Sequence, residues 1–371
     1  MLIKNANILL PNGHFSVCDL RFSDVIEEIG HFSAEEGIDA LGQYLLPGLI
    51  DAHTHGAQGS DFSDGPAADM GAMAAYYAAH GVTSFFATTM TLPEEQLCRA
   101  AAAVSAFEPV AKMARCQGLH LEGPFFCYDK RGAQSADFLH APDIGLFERV
   151  NEAAGGRVRL VAVAPELEGA LPFIAHASKT CAVSIGHTAC DYDTAAAAFK
   201  AGARQLTHLF NAMEGLHHRR PGPIGAGMDA GVYAELICDG LHVHPAAIRA
   251  AFSLFSERVV LISDSIRCAG MPEGAYELGG QPVVLKNGSC TLQASDTLAG
   301  SVITVYDGLV NAVRYGIPLE TAAAAGTHNP ARALGLQNQC GFIAPGLRAD
   351  LLLLDGQLNI RAVYIGGQKA R

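Results

Sequence analysis

The chain has 371 residues, of which 50% are hydrophobic and 17% are charged, and its formal net charge is −12. This composition requires a large buried core and excludes intrinsic disorder, while the acidic balance argues against nucleic acid and anionic membranes as partners. No apolar run reaches the roughly eighteen residues that a membrane-spanning helix needs. The ten cysteines form no Cys-x-x-Cys pair, so we expect reduced thiols and a cytoplasmic protein.

Short apolar runs at both ends of the chain predict strands that stand apart from the rest. They lie at 3–10, 15–22 and 25–28, and again at 350–355 and 361–365. The first run lacks a basic start and a small-residue cleavage site, so we interpret it as a strand and not as a signal peptide. We expect a small β-sandwich domain built from residues 1–46 and 344–371, beside a larger domain of residues 47–343.

Between the two ends, eight apolar runs alternate with alanine-rich helical stretches. The runs lie at 44–50, 83–89, 118–121, 158–163, 182–185, 205–209, 234–238 and 259–262. The clearest helical stretches lie at 67–79, 94–106, 194–201 and 245–255. Eight β-then-α units with short connections favour parallel strands and predict a (β/α)8 (TIM) barrel of the α/β class. An open doubly wound sheet is the alternative, but it would not bring so many strand ends to one point.

Polar residues follow most of these strands, at the end where a barrel holds its chemistry. His53, His55, Glu122, His187, His208, Asp239, His242 and Asp264 all lie at or just after strand ends, and they cover six of the eight strands. We therefore expect these side chains to converge on one site.

His53 and His55 are the first candidate metal ligands, because alternate residues of a strand point to the same side and can share an ion. Paired histidines on a strand are also found as hydrogen-bonded core residues, and the pair alone does not decide between the two. Glu122 ends an apolar strand before Gly-Pro, where a buried carboxylate needs a metal or a basic partner such as Lys130. Together with Glu122, His187 and His208 would complete a three-ligand catalytic site with an open position.

The motifs that carry these residues resemble those of the N-acetylglucosamine-6-phosphate deacetylases of the amidohydrolase superfamily. Pro-Gly-Leu-Ile-Asp-Ala-His-Thr-His-Gly at 47–56 is shared across that superfamily, whereas three further segments are specific to the deacetylases. These are Leu-Glu-Gly-Pro at 121–124, His-Leu-Phe-Asn-Ala-Met at 208–213 and Cys-Asp-Gly-Leu-His at 238–242. Matching segments continue in order to residue 350, so the resemblance covers essentially the whole chain.

The resemblance implies a role for each of these positions. Glu122, His187 and His208 would bind a divalent metal such as Zn or Fe, and His53 and His55 leave room for a second ion bridged by Glu122, giving one or two ions per chain. Asp264 would be the general acid and base. The implied substrate-binding positions are Asn211, Ala212, Asp239, His242, Leu298, Ala299 and Gly300. Arg219 would reach the sugar phosphate of the neighbouring subunit in a homodimer.

Two departures from the family pattern affect the choice of amino sugar. Where several members have Gly-x-His, this chain has Gly132-Ala133-Gln134, and we expect Gln134 to bind the substrate without carrying charge. Ser265 replaces the usual alanine beside Asp264.

The expected activity is metal-dependent hydrolysis of the acetamide of a phosphorylated amino sugar, N-acetyl-D-glucosamine 6-phosphate, in amino-sugar catabolism or recycling. Three alternatives stay open. The first is a deacetylase for the galactosamine epimer. The second is another hydrolase or a deaminase of the superfamily, although cyclic-amide enzymes use a carboxylated lysine where this chain has Glu122. The third is a non-catalytic scaffold, which would be expected to have lost its ligands.

Overall fold

The computed structural model describes residues 1–32 and 36–371. Eight parallel strands form the central sheet, and each pairs with the strand that precedes or follows it in the chain. The barrel strands, first to eighth, are Leu49–Thr54, Val82–Thr89, Arg115–Glu122, Val158–Val163, Ala182–Ile185, Gln205–Leu206, Tyr233–Ile237 and Val259–Ile262.

The first and eighth strands meet and close the barrel. The backbone N–H of Asp264 donates to the carbonyl oxygen of His53 at 2.9 Å, and the Ser263 hydroxyl donates to Asp51 Oδ2 at 2.5 Å. The predicted (β/α)8 barrel is confirmed, and with it the convergence of strand ends that an open sheet would not produce.

Helices surround the barrel and alternate with its strands. The α-helices are Met70–Ala79, Glu94–Ala106, Ile144–Ala153, Ala170–Ala177, Tyr192–Ala201, Gly222–Ala230, Pro245–Phe255, Val305–Arg314, Leu319–Gly326 and His328–Ala333. Short 3-10 helices occur at Phe62–Ala67, Tyr128–Lys130, Ala136–Phe138 and Ser256–Arg258. Aspartates begin several helices, as where Asp191 Oδ1 accepts the backbone N–H of Thr194 at 2.9 Å. Within the described residues, no helix is both long and apolar enough to cross a bilayer.

Strands from both chain ends form a second, mixed sheet of eight strands beside the barrel. They are Leu2–Leu9, Phe15–Phe22, Ile26–Gly30, Ile38–Asp39, Tyr44–Pro47, Leu351–Leu354, Ile360–Ile365 and Gln368–Lys369. A separate apolar cluster that includes Ile3, Phe22 and Tyr364 forms its core. The predicted small β-sandwich domain is thus present. We propose residues 1–46 with 344–371 and residues 47–343 as the limits of the two domains, supported by this separate core.

The first predicted barrel strand, 44–50, is two strands in two different sheets. Tyr44–Pro47 pairs antiparallel with Leu351–Leu354 in the terminal sheet, whereas Leu49–Thr54 pairs with Val82–Thr89 in the barrel. The change occurs at Gly48, whose N–H donates to the Asp350 carbonyl while the next N–H donates to Gly81. A Cβ at Gly48 would lie 2.2 Å from Thr83 Oγ1, so only glycine fits where the chain changes partners.

A three-stranded antiparallel sheet follows the eighth barrel strand and was not expected from the sequence. Its strands are Gly274–Leu278, Gln281–Lys286 and Ser289–Leu292. Asn287 and Gly288, with φ of 52° and 72°, form the turn between the last two strands. An Asn-Gly pair between apolar runs is a strong hairpin signal, so the sequence did contain the information needed to predict this hairpin. A smaller hairpin, Gly56–Ala57 with Ser60–Asp61, follows the first barrel strand.

Candidate active site

A cavity of about 350 Å³ opens where the barrel strands end. The predicted site residues that line it are His55, Glu122, Gln134, His187, His208, Asn211, Ala212, His242, Asp264, Leu298 and Gly300. His53 lies beneath the cavity and is fully buried. Residues from strand ends far apart in the sequence therefore meet at one place, as expected for a barrel.

Glu122 lies at the centre of the candidate ligands. Its Oε1 is 3.2 Å from His187 Nε2 and 3.1 Å from His208 Nε2. Its Oε2 is 3.2 Å from His55 Nε2. One carboxylate thus touches both halves of the site, the position that a bridging ligand occupies.

His53 of the first strand and His55 just after it form the second half of the site together with Asp264. His55 Nε2 lies 3.2 Å from Asp264 Oδ1. His53 Nε2 lies 3.4 Å from the same oxygen and 3.4 Å from Glu122 Oε1. Among the described residues, three groups have metal-ligand spacing: Glu122 with His187 and His208, His53 with His55 and Asp264, and His53 with His120 and Glu235. The first two groups include residues that line the cavity. The alternative partner for Glu122, Lys130, instead pairs with Glu214 at 2.7 Å.

The hydrogen bonds of the histidine rings show that the donor set fits a cation. His187 Nδ1 lies 2.9 Å from the Lys130 carbonyl oxygen, and His208 Nδ1 lies 3.2 Å from that of Asn211. Carbonyl oxygens only accept, so we assign the proton of each ring to Nδ1, which leaves a lone pair on Nε2. These two Nε2 atoms are 3.0 Å apart and both face Glu122. Facing lone pairs and a carboxylate attract a shared cation, and imidazole with carboxylate suits Zn or Fe.

The charges of the site favour ionised carboxylates. Burial raises the pKa of Glu122, but His53, His187 and His208 hold it well below its usual range. Burial likewise raises the pKa of Asp264, but His53 and His55 lower it below its usual value. Burial lowers the pKa of His55, yet Asp264 and Glu122 raise it to about 9. Protons and metal ions therefore compete for the same histidine nitrogens.

Three of these residues have an unusual backbone conformation. His187, His208 and Asp264 have φ of 47°, 27° and 49°, in the left-handed region that disfavours side chains. Such strain tends to occur where the surrounding structure must aim a functional group. It also explains why the sixth strand ends at Leu206, before the predicted limit of 209.

The predicted substrate-binding positions fall into two groups. Leu298 and Gly300 line the cavity, and the buried Ala299 between them donates its N–H to the Cys290 carbonyl at 3.0 Å. The Asn211 amide donates to the backbone of its own turn, at His208 and Leu209. Asp239 lies outside the cavity lining and accepts the Nδ1 proton of His242 at 2.6 Å, so it orients a side chain that does line the cavity.

Two predicted substrate contacts, Gln134 and Arg219, have other surroundings within this chain. Gln134 is buried, and both polar atoms of its side chain bond within the protein. Arg219 lies outside the cavity, in a separate groove of about 640 Å³ that it shares with His217 and Arg220. Arg219 does not line the cavity of its own chain, and its contact with a neighbouring subunit stays a prediction.

Glu235 is a residue of the site that the sequence analysis missed. It lies inside the seventh strand, is fully buried, and contacts His53 Nδ1 at 3.0 Å. The signal was present in Ala-Glu-Leu-Ile-Cys at 234–238, because a carboxylate within an apolar strand needs a specific partner.

Comparison with known proteins places this geometry in a family. The sequence model of the amidohydrolase family matches residues 44–370. The chain belongs to the amidohydrolase family. Among its amidohydrolase relatives, the N-acetylglucosamine-6-phosphate deacetylase of Vibrio furnissii is 36% identical over 356 residues, covering 92% of this chain and 89% of the relative. The N-acetylgalactosamine-6-phosphate deacetylase of Escherichia coli O157:H7 is 38% identical over 341 residues, covering 88% of each.

A solved structure of the same kind superimposes on this amidohydrolase over its whole length. It is a mutant N-acetyl-D-glucosamine-6-phosphate deacetylase of Mycobacterium smegmatis in complex with N-acetyl-D-glucosamine-6-phosphate, with a TM-score of 0.93 and 35% sequence identity. The match covers 100% of this chain and 99% of that chain. The resemblance to the deacetylases that the motifs indicated is confirmed, and so is the prediction of an enzyme.

Proposed function

We propose that this chain hydrolyses the acetamide of N-acetyl-D-glucosamine 6-phosphate to acetate and D-glucosamine 6-phosphate, in the catabolism or recycling of amino sugars in the cytoplasm. The observation that carries the proposal is the meeting of Glu122, His187 and His208 with Asp264 at the floor of one cavity. This is a ligand set with a proton-transfer group beside it, in a chain whose relatives include deacetylases for this kind of sugar phosphate.

Two divalent ions would be held by the two ligand groups that reach the cavity. Glu122, His187 and His208 would hold the first, and His53, His55 and Asp264 would hold the second, with Glu122 touching both. The chemistry supplied by a bound ion at such a site is Lewis-acid activation of water and of the acetamide carbonyl.

Asp264 would move the proton. Its pKa lies below the usual range because His53 and His55 outweigh burial, so it is ionised at neutral pH and can take a proton from water. The same carboxyl group would then give that proton to the amine, which must leave as the protonated amino sugar. Its place on the cavity wall, 3.2 Å from His55 Nε2, keeps it beside the reacting amide.

The sugar and its phosphate would be bound around the cavity mouth. His242, oriented by Asp239, would donate to a substrate oxygen, and the segment 298–300 and the turn at Asn211 and Ala212 would contact the sugar. Arg219 would complete the phosphate site from the neighbouring subunit of a homodimer. A basic cluster at 217–220 in a chain of net charge −12 supports a local phosphate contact.

The galactosamine epimer is the second candidate substrate. The observation that favours it is the 38% identity to the Escherichia coli N-acetylgalactosamine-6-phosphate deacetylase. The two sugars differ at one hydroxyl group, so one contact separates them, and a missing hydrogen bond of this kind has a large effect on specificity.

An acetate-release assay tests both candidates. It compares the two N-acetylated sugar phosphates and unphosphorylated N-acetylglucosamine, each with Zn²⁺, Fe²⁺, Mn²⁺ or Co²⁺. We expect the largest kcat/KM with the glucosamine phosphate. A larger kcat/KM for the galactosamine phosphate would assign the other epimer, and no acetate release from either with any metal would contradict the proposal.

A further inference from the structure

Glu235 lies inside the barrel, below the cavity and outside every motif that carried the functional assignment. It belongs to the seventh strand, Tyr233–Ile237, and its side chain is 0% exposed. A buried carboxylate is costly unless nearby groups compensate its charge and satisfy its oxygens. What surrounds Glu235 therefore indicates why it is there.

Three donors satisfy the two oxygens of Glu235. The His53 ring donates from Nδ1 to Oε2 at 3.0 Å, and the backbone N–H of His208 donates to the same oxygen at 3.2 Å. The Gln205 amide donates to Oε1 at 2.5 Å. Among the described residues, no lysine or arginine pairs with this carboxylate, so its charge is not compensated by a permanent side-chain cation.

The bond to His53 decides which nitrogen of that ring faces the site. With its proton on Nδ1 and bonded to Glu235, the ring presents the lone pair of Nε2 to Glu122 and Asp264, 3.4 Å from each. A carboxylate that accepts the far N–H of a ligating histidine fixes the tautomer and the ring orientation, and it makes the histidine a stronger ligand.

The bond to His208 links Glu235 to the other half of the site. His208 has a strained backbone with φ of 27°, and its N–H is held by the same Oε2 that accepts from His53. The Glu235 carboxylate thus contacts both His53, a ligand of the second ion, and His208, a ligand of the first. The contact with the first strand is made to a side chain, and the contact with the segment after the sixth strand is made to the backbone.

The side chain of Glu235 contacts a ring of the group formed by His53, His55 and Asp264, and this contact ties it to the second ion. Three carboxylates contact the His53 ring, those of Glu122, Asp264 and Glu235. A single divalent cation leaves this group with a net negative charge in a buried place, which favours a further cation beside the His53 ring.

We propose that Glu235 is a positioning residue that sets the affinity of the ion held by His53 and His55. It acts by fixing the Nδ1–H tautomer of His53 and by adding negative charge beneath that half of the site. The inference rests on the proposed pair of ions and goes beyond it, because it names the residue on which the second ion depends.

The test compares metal binding by Glu235→Gln with wild type and with Glu152→Gln, a matched change at an exposed helix position. Metal-free proteins are titrated with Zn²⁺ against a chromophoric chelator, and bound metal is counted after desalting. Loss of such a carboxylate typically costs about 10–100-fold in metal affinity, so we expect that weakening for the second ion. The first ion should change by less than about tenfold, since Glu122, His187 and His208 remain.

A second readout separates positioning from general stability. In ¹⁵N-histidine-labelled wild type loaded with Zn²⁺, the Nδ1–H of His53 should give a low-field proton resonance that is absent in His53→Gln and is lost or shifted upfield in Glu235→Gln. Glu235→Gln carrying His53→Gln should bind one ion with an affinity within about tenfold of that of His53→Gln alone. Gln still offers an oxygen to the His208 N–H, and Glu235 acts on the second ion through the His53 ring.

The outcomes are distinguishable. If wild type binds two ions and Glu235→Gln binds the second Zn²⁺ with unchanged affinity, the role of Glu235 is overturned and the proposed function still stands. A wild type that never binds more than one ion would contradict the pair of ions itself. If Glu235→Gln does not fold, the wild-type spectrum still decides, because absence of the His53 Nδ1–H resonance would overturn the inference.

Discussion

The side-chain amide of Gln134 donates a hydrogen bond to Glu122 Oε2 at 2.7 Å, while its oxygen accepts the backbone N–H of Thr91 at 2.7 Å. Gln134 thus holds the central carboxylate by one of its two oxygens and is itself held by the backbone. A glutamine expected to bind the sugar has both of its polar ends engaged within the protein, although its side chain lies at the cavity wall.

Replacing Gln134 with leucine should therefore weaken metal binding more than sugar binding. The lost hydrogen bond to a charged group is worth about 1.5–3 kcal/mol, or roughly 10–150-fold in affinity for the ions that Glu122 holds. Chelator competition gives the metal affinity, and kinetics at saturating metal gives KM. Gln134→Glu is the comparison that keeps the shape but adds charge. A rise in KM at unchanged metal affinity would assign Gln134 to the substrate instead.

Replacing both His53 and His55 with glutamine should reduce bound metal from about two ions per chain to about one. Some activity should persist, because Glu122, His187 and His208 still form a three-ligand group. Metal analysis of protein reloaded with Zn²⁺ and desalted gives the count. Equal metal content in the wild type and the double variant would assign the histidine pair to the protein core.

Arg219→Ala should raise KM for the phosphorylated sugar and barely change turnover of the unphosphorylated one, the result expected when binding energy is lost. A charge-assisted contact of this kind is worth about 1.5–3 kcal/mol, or roughly 10–150-fold in kcat/KM. Arg204→Ala, outside both the cavity and the Arg219 groove, is the matched control. Equal losses on both substrates would point to a role in folding or dimer structure.

The partner-subunit origin of Arg219 has its own test. Mixing Arg219→Ala with an Asp264→Asn chain and allowing subunits to exchange should restore part of the activity on the sugar phosphate. Only the mixed dimer has one site with both an intact Asp264 and an arginine from the neighbour. No recovery in a sample shown to contain mixed dimers would place Arg219 in its own chain's site.

Asp264→Asn should lower kcat by about 10²–10⁴-fold at saturating metal, with KM changed little, because asparagine cannot carry the proton. The acidic limb of the pH–rate profile should also disappear from the residual activity. Asp264 lies 3.2 Å from His55 Nε2, so a purely ligating role must be tested by adding metal. Rescue by excess metal to within tenfold of wild type would leave Asp264 as a ligand alone.

The buried His328 should make the free energy of unfolding fall as the pH is lowered. Burial, and then Arg332, lower the pKa of His328 from 6.5 to about 4, so its neutral form stabilises the fold. A depressed pKa contributes stability that is present above pH 6.5 and is lost as pH falls from 6.5 towards 4. His328→Phe keeps the ring that stacks 4.2 Å from Phe342 but removes the proton site.

Urea unfolding at pH 7, 6, 5 and 4 measures this contribution. Between pH 6.5 and 4 the unfolding free energy of His328→Phe should fall less than that of wild type, by up to about 3 kcal/mol. His14→Gln, at an exposed histidine, should leave the wild-type pH dependence unchanged. If the unfolding free energies of wild type and His328→Phe fall equally between pH 6.5 and 4, the fold does not hold His328 in its neutral form.

The sequence by itself determined the barrel and the candidate ligands that line it. The alternation of apolar runs with helical stretches is a local pattern that can be recognised in the sequence alone. Parallel strands in a barrel must then bring their carboxyl ends together. It follows that Glu122, His187, His208 and Asp264 could be expected at one site before their distances were known. The hairpin at Asn287 and Gly288 was equally readable, because its turn signal is two residues long.

Only the tertiary structure determined which residues hydrogen-bond to the candidate ligands and hold them in place. His53 and Glu235 are 182 residues apart in the chain, and their contact depends on how the first strand faces the seventh across the barrel interior. The bond from Gln134 to Glu122 and the change of sheets at Gly48 depend on packing in the same way. A local pattern fixes which face a residue occupies, whereas barrel closure and register fix which residue it meets.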